Sequence, residues 1–133
     1  MEVTSKIPIE FEPKRPHRFI ILFPETMGIK PFYIKGLSKL SYDFRKKEWD
    51  VLSLTLYDII GEEISQKLVE SLVNTRKKIL RFKIQSLDPT GVVVETFEVI
   101  GDLVELDLGT YAYDLKDELH FLKIGVKPND IIF

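Results

Sequence analysis

The residue types that carry most enzyme chemistry are sparse in this chain. Its 133 residues include no cysteine and only two histidines, His17 and His120, each alone in its segment. Without thiols there is no disulfide, no cysteine-ligated metal and no thiol nucleophile. Neither histidine belongs to an HxxxH or His-x-Asp spacing, so neither is set up as a metal ligand or as half of a catalytic pair. His17, between Pro16 and Arg18, reads as solvated, and His120 reads as a strand-end residue. No glycine-rich phosphate loop and no GxSxG elbow occurs, which leaves nucleotide binding and serine hydrolysis without an anchor. These residues point away from an enzyme and imply no cofactor and no metal.

Carboxylates do form a pattern. Taking Gly101-Asp102 as a two-residue turn between the strands Val92–Ile100 and Leu103–Leu108 sets Val99 against Val104, Phe97 against Leu106, Glu98 against Glu105 and Thr96 against Asp107. One face of that hairpin is apolar and the other acidic. The preceding strand, Ile79–Leu87, alternates Leu80, Phe82 and Ile84 with Arg81, Lys83 and Gln85, and Asp88–Gly91 (DPTG) has the residues of a tight turn. The pattern then pairs Phe97 with Phe82 and Val99 with Leu80, which puts Arg81 opposite Glu98 and Lys83 opposite Thr96. Like charges facing each other on a sheet cost stability unless offset. Either Arg81 and Lys123 neutralise the acids, or the protein needs a negative surface.

The rest of the chain is arranged around Trp49–Val73. Leu52, Leu54 and Leu56 alternate with Ser53, Thr55 and Tyr57, a half-buried strand, and then Ile64, Leu68 and Leu72 recur at helical spacing. The expected helix runs from Glu62 to Asn74, with acids at its start, bases past its end and a left-handed Asn74 as its stop. Residues 1–17, with three prolines, read as an extended arm, and 18–133 as a single domain. Arg18–Phe23 (RFIILF) is apolar on both faces, so Phe19 and Ile21 ask for cover from the sheet or a neighbouring subunit. Phe32–Ser41 is a strand with a bulge at Gly36. Arg45, Lys46 and Lys47 lie in a charged connection, for which a solvated turn is the simpler reading and a binding patch the sharper one. A polar segment, Gly109–Glu118, leads to a last strand, His120–Val126, which Pro128 ends. About seven strands and one helix result, a mainly β protein. The composition, 44% hydrophobic and 30% charged with a formal net charge of −2, gives no general attraction to nucleic acid and no membrane-spanning run.

Two passages together resemble a known family. WDVLSLTLYDIIGEEISQKLVESL (Trp49, Leu54–Asp58, Gly61, Ser65, Gln66) and LDPTGVVVETFEVIGDLVELDLGTYAYDLKDEL (Asp88–Gly91, Val93–Glu95, Gly101) are similar in order and spacing to the tail tube proteins of contractile-tailed bacteriophages, relatives of the tubes of type VI secretion and contractile injection systems. The resemblance implies an Hcp-like tail tube fold, a small antiparallel β-barrel or two-sheet sandwich with one helix packed outside. It implies a structural virion protein that assembles as stacked hexameric rings. Its expected partners are itself, the tail sheath, a baseplate tube-initiator, and the tape-measure protein and DNA that pass through the lumen without specific binding. Assembly is expected in the host cytoplasm, and no membrane is involved. Under the resemblance, Glu98, Glu105 and Asp107 are lumen candidates. Arg45, Lys46, Lys47, Phe19 and Ile21 are inter-ring or inter-subunit candidates, and Glu63, Gln66, Lys67 and Glu70 are the sheath-facing side of the helix. A tube initiator, a tube terminator or an injection-system tube component with the same fold is the alternative. A monomeric β-barrel binding module is a further one, and the bulky Leu80, Phe82, Phe97 and Leu106 argue against its empty interior.

Overall fold

Two periods in the sequence, two and about 3.6, build everything that follows. In the computed structural model, which describes residues 12–133, the strands are β1 (Phe19–Leu22), β2 (Ile34–Leu37), β3 (Tyr42–Asp43), β4 (Glu48–Trp49), β5 (Leu52–Tyr57), β6 (Ile79–Leu87), β7 (Val93–Asp107) and β8 (Phe121–Ile132). Six of them form one antiparallel sheet in the order β1-β6-β7-β8-β5-β2, and β3 and β4 form a separate hairpin. The large sheet curls until its end strands face each other across a groove lined by Phe19, Leu37, Leu40, Ile84 and Phe97, a nearly closed barrel. The fold is therefore mainly β with one helix, as the sequence predicts. Residues 1–11 of the expected arm lie outside the described residues.

The core is one cluster. Leu52, Leu54 and Leu56 of β5, Leu80, Phe82 and Ile84 of β6, and Leu122, Ile124 and Val126 of β8 point inward and are buried. Each such side chain stabilises the fold by about 1.5–3 kcal/mol when fully buried. These side chains fill the barrel interior. Helix α1 (Ile64–Leu68) continues without a break into a π-helical turn, Val69–Val73, and the stripe Ile64, Leu68 and Leu72 packs into the same core. The helix is thus two residues shorter at its start than expected. Asn74 does not stop it, because its φ of −67° is helical and Arg76 takes the left-handed φ of 54° instead. The π-turn explains the shift: the N–H of Asn74 reaches back to the Val69 carbonyl (2.8 Å) and that of Lys77 to the Leu72 carbonyl (3.0 Å). This extra residue per turn carries the exit further along the chain.

Two expectations about the second half are overturned. Gly101-Asp102 is not a turn, because β7 runs straight through it for 15 residues, paired with β6 on one side and β8 on the other. Pro128 does not end the last strand, which continues to Ile132. Both departures have one cause: Gly101 and Pro128 are register partners. A Cβ on Gly101 would lie 2.6 Å from Val126 Cγ1, 2.7 Å from the Lys127 carbonyl oxygen and 2.9 Å from Pro128 Cα. Only glycine lets the strands approach this closely. Pro128, which has no N–H to donate, sits where the ladder is already interrupted, since the register steps from Ile100–Asp130 to Gly101–Pro128 and bulges Asn129.

The register follows from the long strand. Phe97 pairs with Ile84 and Val99 with Phe82, two residues from the expected partners, so the inward face is kept while every pair changes. Glu98 faces Lys83 on β6 rather than Glu105, and Asp107 faces Lys123 on β8 rather than Thr96. The reversal at Asp88–Gly91, by contrast, is present: Gly91 has a φ of 88°, and the Asp88 carboxylate accepts from the Thr90 N–H (2.8 Å), the Thr90 hydroxyl (2.7 Å) and the Val92 N–H (2.9 Å).

Candidate functional site

Four surfaces hold the residues singled out by sequence. The first is the outward face of the β6-β7-β8 sheet. Alternation along β7 puts Phe97, Val99, Leu103 and Leu106 against the core and Glu98, Asp102, Glu105 and Asp107 outside, with a bulge at Val104 keeping both sets in phase. The acids do not oppose one another. Glu98 lies opposite Lys83 and 3.8 Å from Arg81, Asp102 lies opposite Lys127, and Asp107 lies opposite Lys123. Glu105 faces Gly125, and its Cβ would stand 3.3 Å from a Cβ there. One acidic stripe thus runs between two basic ones. Exposed pairs of this kind contribute only about 0.2–1 kcal/mol each, so the striping is a property of the surface more than of the fold.

The second surface is the groove between the end strands β1 and β2, about 590 Å³, with Phe19 in its wall beside Pro16 and His17. Ile21, its expected companion, is 1% exposed and belongs to the subunit's own core, which leaves it no surface for a neighbour. It shares the inward side of β1 with Phe23, which is also buried, while Ile20 and Leu22 on the other side are half-buried.

The third surface is the outer side of the helix. Glu63, Gln66 and Glu70 are exposed there, whereas Lys67 is half-buried and turned toward the loop before β2. Its ammonium donates to the hydroxyl of the fully buried Tyr33 (3.1 Å), which in turn donates to Glu62 Oε1 (2.5 Å), and Lys30 stands 3.6 Å from the same carboxylate. The Tyr33 hydroxyl is the main reason that the Glu62 carboxyl is held below its ordinary range and the Lys67 ammonium above its own. Sequence reasoning missed this cluster, since Tyr33 and Lys67 come together only when the helix is docked. It ties the helix to the Ile29–Tyr33 loop.

The fourth is the β3–β4 hairpin, a second feature missed from sequence. Tyr42 makes edge contacts with Phe44 (5.1 Å between ring centroids) and Trp49 (5.2 Å), and Arg45, Lys46 and Lys47 form the exposed tip. The signal was present: Y-D-F, three bases, then E-W, an aromatic on each arm of a short reversal. His17 is exposed. His120 donates from Nε2 to the Leu108 carbonyl (2.7 Å) and carries the Tyr111 ring 4.5 Å away, so it closes the base of the 108–120 loop. Among the described residues no three histidine or acidic side chains gather as a metal site.

No family profile matches the chain, and no curated protein sequence matches it. Solved structures do. A chain of the anti-feeding prophage baseplate (6-fold symmetrised) superposes with a TM-score of 0.58 at 16% identity, over 91% of this chain and 95% of that one. A chain of an extracellular contractile injection system, in its PVC sheath/tube terminator structure in the extended state, gives 0.61 at 14% identity, covering 98% of each. A chain of the anti-feeding prophage cap, the AFP tube terminating cap, gives 0.63 at 13% identity over 98% and 97%. The fold is shared from end to end with components of contractile injection assemblies.

Proposed function

We propose that this chain is a structural subunit of the inner tube of a contractile tail or injection machine, assembling as hexameric rings stacked around a lumen. The observation that carries the reading is the end-to-end likeness, 98% of both chains, to a component of a contractile injection assembly. A six-stranded sheet whose end strands, β1 and β2, each keep one edge without a partner among the described residues supports it, since open edges invite pairing with a neighbouring copy. In this reading β1 and β2 meet neighbours around the ring and Phe19 is covered there. Glu63, Gln66 and Glu70 face the sheath. The striped β6-β7-β8 face, with Glu98, Glu105 and Asp107, lines the lumen through which tape-measure protein and DNA pass. Alternating charge would neither hold a polyanion by counterion release nor repel it strongly. The particle is assembled in the host cytoplasm around a baseplate initiator.

Two of the matched chains come from terminator and cap assemblies, and this favours a second reading, a tube-end component that forms one ring. Light scattering on purified protein separates the two: a mass that rises with concentration beyond six copies fits the tube body, a fixed hexamer fits the end component, and a monomer at all concentrations fits neither. Replacing Glu105 and Asp107 by lysine should leave assembly intact and slow passage of DNA through the lumen; normal ejection kinetics would remove that face from the lumen.

A further inference from the structure

We infer that the tip of the β3–β4 hairpin docks on the 109–119 loop of a second copy of this chain, joining copies head to tail. The inference takes its setting from the tube reading, and its content rests on three observations of the subunit.

The tip is pre-ordered and cationic. The Asp43 carboxylate accepts from the N–H groups of Arg45 (2.9 Å) and Lys46 (3.1 Å), and Lys47 closes the turn with a φ of 58°. The hairpin's acids are occupied: Asp43 in this turn, and Glu48 by Lys127 at 3.3 Å. Among the described residues, no carboxylate pairs with Arg45, Lys46 or Lys47, and Phe44 stands 83% exposed beside them. A fixed turn with three cations that no described carboxylate pairs and an exposed aromatic ring has little ordering entropy left to lose on contact.

The loop is the complement. Asp114, Asp117 and Glu118 are exposed against a single base, Lys116, and Tyr111, Tyr113 and Leu119 are exposed with them. Its base is held by the His120 bond to Leu108 and by Gly109, whose N–H donates to Asp107 Oδ1 at 2.8 Å. Phe44 can meet the tyrosine rings, and Arg45 can lie over one of them, while the lysines meet the carboxylates.

The two features lie at opposite ends of the same strands. The hairpin leads into Leu52, which pairs with Val126, and is pinned there by Lys127 Nζ donating to the Trp49 carbonyl (2.9 Å). The loop leads into Phe121, which pairs with Tyr57 at the other end of β5. Those ends are roughly 17 Å apart along an extended strand, too far for the tip to reach the loop of its own subunit. A translation along the strands brings the tip of one copy to the loop of the next. Such a contact uses different patches on its two sides, so it propagates in one direction and gives a stack its polarity.

The absence of cysteine makes a clean test possible. Full-length chains carrying Lys46→Cys and Asp117→Cys, mixed under mild oxidation, should give a disulfide dimer with one chain of each kind. Its yield should exceed that of either variant alone by roughly tenfold or more, and high salt should lower it. A yield no higher than in the single-variant controls overturns the inference. In micrographs, a chain with Arg45→Glu, Lys46→Glu and Lys47→Glu should keep rings and lose stacks, and adding Asp114→Lys, Asp117→Lys and Glu118→Lys should restore them. Stacking that survives the hairpin reversal overturns the contact and leaves the tube reading standing. A mixed cross-link from a protein that never forms rings keeps the contact and removes the tube reading.

Discussion

Two places in this chain combine a glycine with an aspartate between hydrophobic runs, and the backbone does opposite things at them. At Asp88–Gly91 it reverses. Gly91 adopts a φ of 88°, and one carboxylate gathers three hydrogen bonds within four residues. At Gly101-Asp102 it runs on, extended, through the middle of the longest strand, and the glycine serves a strand 27 residues away. There the Asp102 side chain turns outward and accepts from Asn129 Nδ2 at 3.1 Å across the sheet, and makes no turn of its own. A glycine makes a turn when its neighbours supply local hydrogen bonds to close it. Without them, it can equally mark a position where another backbone comes too close for a side chain.

The largest effect that separates the two sites is expected at Gly101. Gly101→Val must displace Val126, Lys127 and Pro128, and it should destabilise the subunit by about 3 kcal/mol, read from the denaturation midpoint. A loss under about 1 kcal/mol would mean that β7 and β8 are not in close contact there. Gly91→Ala meets no neighbour, because open space surrounds it, and should cost only about 1–2 kcal/mol, the strain of a left-handed φ on a residue with a Cβ. Gly91→Asn should recover part of that loss, whereas Gly101→Asn should recover nothing relative to Gly101→Ala.

The smallest effect is a pH dependence. Bonds from the Thr90 hydroxyl, and after it the Val92 N–H, hold the Asp88 carboxyl below its ordinary range. A group lowered in the folded state contributes fully above its unfolded value and loses that contribution as pH falls through the folded one. Asp88→Asn should therefore be less stable than the parent at neutral pH, with a gap that closes in acid. A gap that stays constant down to strong acid would show that the charge plays no part in the turn.

The same contrast explains how far the sequence could be read. β5, β6 and the helix follow from periods of two and 3.6, because each buries a face that is visible within a dozen residues. The DPTG reversal is equally local. The path of β7 and β8 was hidden, since Gly101 and Pro128 are punctuation by every local rule and acquire their role only from each other. The charge pattern of the outer face went wrong with it: Glu98, Asp102 and Asp107 of β7 face lysines on β6 and β8, and Glu105 faces Gly125, once the strand runs on. The Tyr33–Glu62–Lys67 cluster and the inward turn of Ile21 were likewise invisible, since both depend on which side of an element is covered. The hairpin tip and the 109–119 loop could be seen as charge runs, and only the topology places them at opposite ends of the barrel.

Electron microscopy of the purified protein, alone and with a baseplate seed, decides the proposal that this subunit builds a tube. A tube subunit should give six-fold rings that stack into hollow tubes of one diameter. A monodisperse monomer at high concentration, with no ring in either sample, would contradict the proposal.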